Sequence, residues 1–172
     1  HKINTTVSQP IKKTHTPRPI TDSDVDIDTV KSIIQIAKQS PSGVNTQPWN
    51  VYVLSGDARD KLVNEATSRY DQGKMDGQEY LVYPKEMPDW YKERRRAVGW
   101  AMYGAIGIEK GDTEKMMAQG RKNYEFFGAP VGIFITVKNC VGPNGWGHVG
   151  HFIQNVCLLA IENGLATCLQ EA

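Results

Sequence analysis

Apolar residues recur every three to four positions between residues 27 and 37, and this spacing predicts an amphipathic helix. Aspartates at positions 24, 26 and 28 suit the N-terminus of that helix, where backbone N–H groups favour negative charge. Ser40 and Pro41 predict its end, because proline interrupts the helical hydrogen-bond ladder. The inward face comprises Ile27, Val30, Ile33, Ile34 and Ala37.

Three short apolar segments predict strands. Residues 51–54 are apolar at every position, which favours a strand covered on both faces. Residues 129–137 form the second predicted strand and residues 165–169 the third. The strands are few and lie far apart in the sequence, so we expect one small sheet.

Helical patterns fill most of the remaining chain. They predict helices over 58–70, from Pro88 onwards, over 112–127 and over 149–162, the last buried almost all round. The helix after Pro88 is expected to turn Ala97, Trp100, Ala101 and Gly104 inward. Residues 1–20 predict an irregular arm and residues 71–87 a loop. The pattern as a whole predicts an α+β fold in a single domain, residues 1–172, with a small sheet inside helices.

Composition narrows the class of protein. The 172 residues are 40% hydrophobic and 23% charged, which is typical of a globular domain. Twenty basic and 19 acidic side chains give a net charge of +1, which offers no electrostatic reason to expect a nucleic acid or a membrane surface as partner. The apolar runs are far shorter than the roughly 20 residues of a membrane helix. Three cysteines without CxxC spacing favour free thiols in the cytoplasm.

The most informative segment is residues 40–49, Ser-Pro-Ser-Gly-Val-Asn-Thr-Gln-Pro-Trp. Gly43 allows close approach of a flat ligand, and Asn45, Thr46 and Gln47 offer groups that hydrogen-bond the polar edge of a heterocycle. The residues alone favour the alternative of an ordinary polar connection from helix to strand, with Trp49 in the core.

Three segments, in the same order, resemble the nitroreductase family. Residues 40–49 resemble its Pro-Ser-x-x-Asn-x-Gln-Pro-Trp flavin-binding segment. Residues 123–131, Asn-Tyr-Glu-Phe-Phe-Gly-Ala-Pro-Val, are similar to the family's helix entering the central strand. Residues 163–172, Asn-Gly-Leu-Ala-Thr-Cys-Leu-Gln-Glu-Ala, are similar to its Gly-Leu-x-Thr-Cys-x-Gln-Glu segment. The resemblance covers the chain from about residue 20 to its end.

The resemblance implies a nitroreductase-like fold, with a mainly antiparallel central sheet, and FMN bound at a homodimer interface. It implies ping-pong reduction of small electron acceptors, nitroaromatics or quinones, with NADH or NADPH as donor. Since the cofactor carries the chemistry, no catalytic acid or base is expected.

The family's site residues carry over by position. Pro41, Ser42 and Gly43 are expected to line the flavin ring, and Asn45 or Gln47 to support it. Thr16 and Arg18 match a string that holds the phosphate, although Arg18 also suits a solvated arm. Asn123 falls near the contact to the pyrimidine edge. Gln170 and Glu171 fall where a backbone N–H approaches the hydride-accepting nitrogen. The complete cofactor-binding set is Thr16, Arg18, Pro41, Ser42, Gly43, Asn45, Gln47, Asn123, Gln170 and Glu171.

Several expectations stay open at this level. Residues 71–112 form an insertion whose aromatic side chains suit either a lid that selects acceptors or an extension of the core or dimer contact. The family's C-terminal segment is missing after residue 172, which suggests a fragment. Alternative functions are a dimerisation or binding module that has lost tight FMN binding, or a narrower FMN enzyme such as a reductive dehalogenase. His148 and His151 stand three residues apart, which suits a helix start or dimer contact better than a metal site.

Overall fold

Helices predominate in the computed structural model of the chain, in which residues 6–18, 20–74, 77 and 79–170 are described. These residues divide into two compact units: one extends to Leu62 and resumes over Phe126–Gln170, and the other lies within Val63–Glu125. The described elements are α1 (Ser8–Lys13), α2 (Ile27–Ala37), β1 (Trp49–Ser55), α3 (Gly56–Asp71), α4 (Asp89–Ala105), α5 (Thr113–Arg121), β2 (Val131–Val137) and α6 (Gly142–Glu162).

Helix α2 begins and ends where the sequence predicts. The Asp26 carboxylate accepts hydrogen bonds from the backbone N–H groups of Asp28 and Thr29, each at 3.1 Å, and so caps the first turn. These bonds, the one from Asp28 first, lower the pKa of Asp26. At the other end, the Ser40 N–H donates to the Ala37 carbonyl at 2.9 Å. The chain therefore enters the 40–49 segment directly from a well-formed helix end.

The sheet consists, within the described residues, of β1 and β2 paired antiparallel, with Tyr52 opposite Phe134. This confirms the α+β class with a small antiparallel sheet. The expectation that β1 is covered on both faces is wrong, because Tyr52 is 57% and Phe134 42% exposed. Side chains alternate between the faces of a strand, so the neighbours Val51 and Ile135 face the core while this pair faces outward.

The core of the first unit lies between α2 and α6. Phe152 is fully buried and stacks on Trp49, with ring centroids 4.9 Å apart. Its buried neighbours, on α2 and α6, are Ile33, Ala37, Val156 and Ala160. Helix α6 starts earlier than predicted, at Gly142, and is buried along a stripe rather than all round, because Trp146 and Gln154 are exposed.

Two further expectations for this unit are wrong. Residues 8–13 form α1 instead of irregular structure. Pro10 is tolerated because it lies in the first turn, where a backbone N–H group would have no acceptor within the helix. Residues 165–169 form no strand, because a strand requires a paired neighbour and the described sheet ends at β1 and β2. Leu165 instead packs against the core, while Leu169 is 56% exposed.

The second unit is held by contacts between the end of α3 and the α5 region. The Tyr70 hydroxyl donates to the Met117 carbonyl at 3.0 Å, and the Asp71 carboxylate accepts two hydrogen bonds from Arg121. The Arg121 side chain lowers the pKa of Asp71 through these bonds. The helix predicted over 112–127 ends at Arg121 and continues as a 3-10 turn, Lys122–Gly128.

Helix α4 begins directly after Pro88, as predicted, but its predicted inward face is wrong. None of its described residues is buried, and Trp100, expected to face inward, is 43% exposed. Lys92 and Arg94–Arg96 lie in the first half of α4, and alanine and glycine make up most of its second half, so the helix offers little apolar area to bury.

No helix within the described ranges has the length and apolar character needed to cross a bilayer.

Candidate functional site

The 40–49 loop has an unusual backbone. Val44, Asn45 and Gln47 have φ angles of 47°, 58° and 44°, in the left-handed region that non-glycine residues rarely adopt. For the β-branched Val44 this conformation is strained, and its side chain is 97% exposed, so no packing of that side chain compensates. Strained backbone of this kind clusters at ligand sites, where the surrounding structure imposes it.

Hydrogen bonds within the loop hold this conformation. The Asn45 N–H donates to the Ser42 carbonyl at 2.9 Å, and the Gln47 N–H donates to the Ser42 hydroxyl at 3.0 Å. The Gln47 side-chain amide donates to Asn45 Oδ1 at 3.2 Å. Ser42, Asn45 and Gln47, all predicted site residues, are therefore brought together on one short turn.

Side chains of helix α6 hydrogen-bond the beginning of the loop, at residues 40–43. The Gly43 N–H donates to His148 Nε2 at 3.1 Å, and His151 Nδ1 lies 3.2 Å from the Pro41 carbonyl oxygen. One turn further, Asn155 Nδ2 donates to the Ser40 hydroxyl at 2.7 Å. We call His148, His151 and Asn155 the α6 clamp.

A second group of predicted residues gathers around Cys168. Arg18 Nε donates to Cys168 Sγ at 3.4 Å, and the Gln170 side-chain amide donates to the same sulfur. The Arg18 guanidinium also lies over the Phe127 ring, 4.9 Å from its centroid. The structure thus links the N-terminal arm to the segment before the end of the described chain, and Arg18 is not simply a solvated side chain.

The other predicted residues are placed separately. Thr16 is exposed on the arm. Asn123 belongs to the second unit, where its amide donates to the Gly120 carbonyl at 2.8 Å and so terminates α5. Glu171 lies outside the described residues.

Sequence reasoning did not assign the α6 clamp or Cys168 to the site. Three polar residues at positions 148, 151 and 155 share one face of a mainly apolar helix, and this spacing is the signal that could have indicated a common contact. No group of three or more potential metal ligands occurs in the part of the chain that the structure describes.

The electrostatic character of the loop follows from its composition. Residues 40–48 carry no ionisable side chain, so the loop presents amide, hydroxyl and carbonyl groups only. Arg18, the cation predicted for this site, lies in the Cys168 group. The arrangement suits a ligand with a neutral polar heterocycle, and Arg18 supplies a cation suited to an anionic substituent.

Comparison with known proteins agrees with this chemistry. The model of the nitroreductase family matches residues 11–172. The chain is 36% identical over 147 residues to a 4-nitrobenzoate reductase of Nocardioides sp. (strain LMS-CY), a match covering 83% of this chain and 59% of the relative. It is 33% identical over 162 residues to a chloronitrobenzene nitroreductase of Comamonas testosteroni, covering 93% of this chain and 71% of that one. The chain thus spans little more than half the length of the first of these relatives.

Solved structures are similar as well. The FMN and NADPH-dependent nitroreductase NfnB from sphigopyxis sp. strain HMH superposes with a TM-score of 0.91 at 36% identity, covering 97% of this chain and 75% of that one. The FMN-dependent nitroreductase NfnB from Mycobacterium smegmatis, solved in complex with NADPH, gives a TM-score of 0.88 at 26% identity, covering 94% and 72%. The matched family model, the two relatives and the shared fold lead to one conclusion: the chain belongs to the nitroreductase family.

Proposed function

We propose that the protein is an FMN-dependent oxidoreductase that reduces nitroaromatic or quinone-like acceptors with NAD(P)H. The observation that carries the proposal is the strained loop over residues 41–47, which keeps neutral hydrogen-bonding groups at the position where the sequence resembles the family's flavin-binding segment. The relatives named as nitrobenzoate and chloronitrobenzene reductases support the choice of acceptor class.

The residues present fit FMN by the chemistry of their donor and acceptor groups. An isoalloxazine ring is flat and has a polar edge, which matches a loop of small residues with the amides of Asn45 and Gln47. The phosphate is anionic, which matches the Arg18 guanidinium. When bound, FMN supplies the hydride chemistry, accepting a hydride from NAD(P)H and passing two electrons to the acceptor.

The chain's own residues would bind and orient the cofactor. Pro41, Ser42 and Gly43 would line the ring, with Asn45 and Gln47 supporting it. Thr16 and Arg18 would hold the phosphate. Gln170 would complete the contacts to the ring through its backbone.

We further propose a homodimer in the cytoplasm. Exposed apolar side chains on the first unit, among them Ile36, Trp146 and Leu169, support an interface with a second copy of the chain. The three cysteines are free thiols, which is typical of proteins in a reducing compartment.

The insertion over residues 71–112 is proposed to select acceptors. Its support is the exposure of aromatic side chains on and before α4, with Trp90 55% and Tyr91 41% exposed. Replacing both by alanine should change the ratio of kcat/KM values between 4-nitrobenzoate and a quinone. An unchanged ratio would favour the alternative that the segment extends the core or the dimer contact.

A visible absorption spectrum of the purified protein, supplemented with FMN, tests the main proposal. The flavin band should be retained after gel filtration and should bleach without oxygen on addition of NADH or NADPH. Subsequent addition of 4-nitrobenzoate should restore the band. Faster bleaching by one nucleotide would identify the preferred donor.

Failure would separate the alternatives. A protein that retains no FMN would contradict the oxidoreductase proposal and favour the binding or dimerisation module. A protein whose flavin bleaches but is reoxidised only by halogenated aromatics would favour the reductive dehalogenase.

A further inference from the structure

The α6 clamp uses its two histidines in opposite hydrogen-bonding roles. The donor to His148 Nε2 is the backbone N–H of Gly43, so this nitrogen must be an unprotonated acceptor. The partner of His151 Nδ1 is the Pro41 carbonyl oxygen, which only accepts, so this nitrogen must carry a proton. Neutral His148 is required by its contact, whereas His151 satisfies its contact both neutral and protonated.

The two histidines of the clamp contact Pro41 and Gly43, which are among the residues proposed to line the ring. Gly43 lies immediately before the residues with positive φ, and its N–H is directed at His148. A Cβ atom at Gly43 would lie 3.1 Å from His148 Nε2, so the backbone and the imidazole are in close contact. His148 is partly accessible to solvent, so a proton can reach the ring.

We propose that His148 is a positioning residue for the flavin-binding loop, and that the ligand-binding conformation of the loop requires its neutral imidazole. Protonation would place an N–H at Nε2 facing the Gly43 N–H, and the loop would lose the bond that fixes it to α6. The loop is therefore held to α6 while this imidazole is neutral and is released when the imidazole is protonated. This inference rests on the proposed function for the identity of the ligand, but not for the hydrogen bond itself.

The charged groups around His148 are few. The nearest titratable ring is His151, 6.5 Å away between centroids. Among the elements packed against α6, α2 carries Asp28 and Lys31, which pair with each other at 2.8 Å. Helix α1 carries Lys12 and Lys13, and the 3-10 turn before α6 carries Cys140. The loop and β2 carry none.

The first measurement follows the Gly43 amide without any ligand. Hydrogen exchange monitored by NMR should give a protection factor for this amide that is at least about threefold lower at pH 5.5 than at pH 8 in the wild type, as expected when one hydrogen bond is lost. His148→Gln places an acceptor oxygen close to the position of Nε2 without a titrating group, and should keep the protection factor constant. Gln154→Ala, at an exposed position on the same helix, should behave like the wild type.

The second measurement uses FMN, with binding followed by quenching of its fluorescence. At pH 8, His148→Ala should weaken FMN binding about three- to tenfold, the size of one lost hydrogen bond, while His148→Gln stays within about twofold. From pH 8 to pH 5.5 the wild type should lose more affinity than His148→Gln, which corrects for titration of the FMN phosphate itself.

The outcomes distinguish the inference from the proposed function. The role of His148 would be overturned if the protection factor of the Gly43 amide did not change with pH in the wild type. The same conclusion would follow if the wild type and His148→Gln showed equal pH dependence of FMN binding. Protection that follows pH as expected, in a protein that binds no FMN, would confirm the role of His148 in holding the loop and contradict the flavin proposal.

Discussion

Replacing Phe152 by alanine should destabilise the protein by about 4 kcal/mol. Phe152 is fully buried in the core between α2 and α6, and its ring stacks on Trp49 with an interplanar angle of 14°. A buried aromatic side chain removes roughly 150–250 Å² from water, and phenylalanine lies near the lower limit. At about 25 cal/mol per Å², this area corresponds to about 4 kcal/mol. Phe→Ala substitutions in cores typically cost 3–5 kcal/mol, in agreement with this value.

The assay is urea unfolding followed by fluorescence and circular dichroism, with the free energy extrapolated to water. Phe134→Ala is the matched control, since it removes the same side chain from a position that is 42% exposed. It should cost at most about half as much, because much of that ring is already in contact with water.

The reasoning would be refuted if Phe152→Ala cost less than about 1.5 kcal/mol with an unchanged dependence on urea. A cost equal to that of Phe134→Ala would have the same meaning, because burial would then not determine the effect. Either result would place the core elsewhere than between α2 and α6.

Three further predictions concern helix packing, pH and the cofactor. Gly145→Ala should destabilise the protein by about 1–3 kcal/mol, because the new Cβ would lie 2.3 Å from Cγ2 of Val141, one turn earlier. Gly147→Ala has open space around its Cβ and should stabilise the protein by up to about 1 kcal/mol. Chemical unfolding measures both changes. The Arg121 pair lowers the pKa of Asp71, so the pair contributes stability at pH values above the unfolded pKa of this carboxyl. That stability is lost as the pH falls through the lower folded pKa. The difference in unfolding free energy between the wild type and Asp71→Asn should therefore be largest near pH 7 and vanish in acid. Arg18→Ala should weaken FMN binding at least about tenfold with little change for riboflavin, which lacks the phosphate, and equal losses for both ligands would contradict a phosphate contact.

The sequence predicts the local features of the fold and much less of its long-range contacts. The ends of α2 are predictable because Asp26 and Pro41 act on neighbouring residues. The exposure of Tyr52 was missed because an apolar run does not show whether a second layer covers the outer face of a strand. Residues 165–169 illustrate the same limit, since pairing depends on a neighbour that a segment's own sequence does not specify.

In the candidate site, too, the sequence predicts the residues of the local motif but not the backbone conformation or the long-range contacts. Its motif identifies Ser42, Asn45 and Gln47. None of the residues with positive φ in the loop is glycine, so the usual indication of a left-handed backbone is absent there. The contacts from His148 to Gly43 and from Asn155 to Ser40 join residues more than 100 positions apart, and no local pattern predicts them.

Helix α6 connects the core and the candidate site. Phe152 lies on it between His148 and Asn155, four residues after one and three before the other, so these side chains share adjacent turns of one helix face. Phe152 stacks on Trp49, the first residue of β1, and the two polar residues hold Gly43 and Ser40. The packing of Phe152, together with Val156 and Ala160, therefore helps to set the rotation of α6 about its axis, and that rotation decides whether the polar residues reach the loop. A loosened core should consequently reduce ligand affinity before it unfolds the protein.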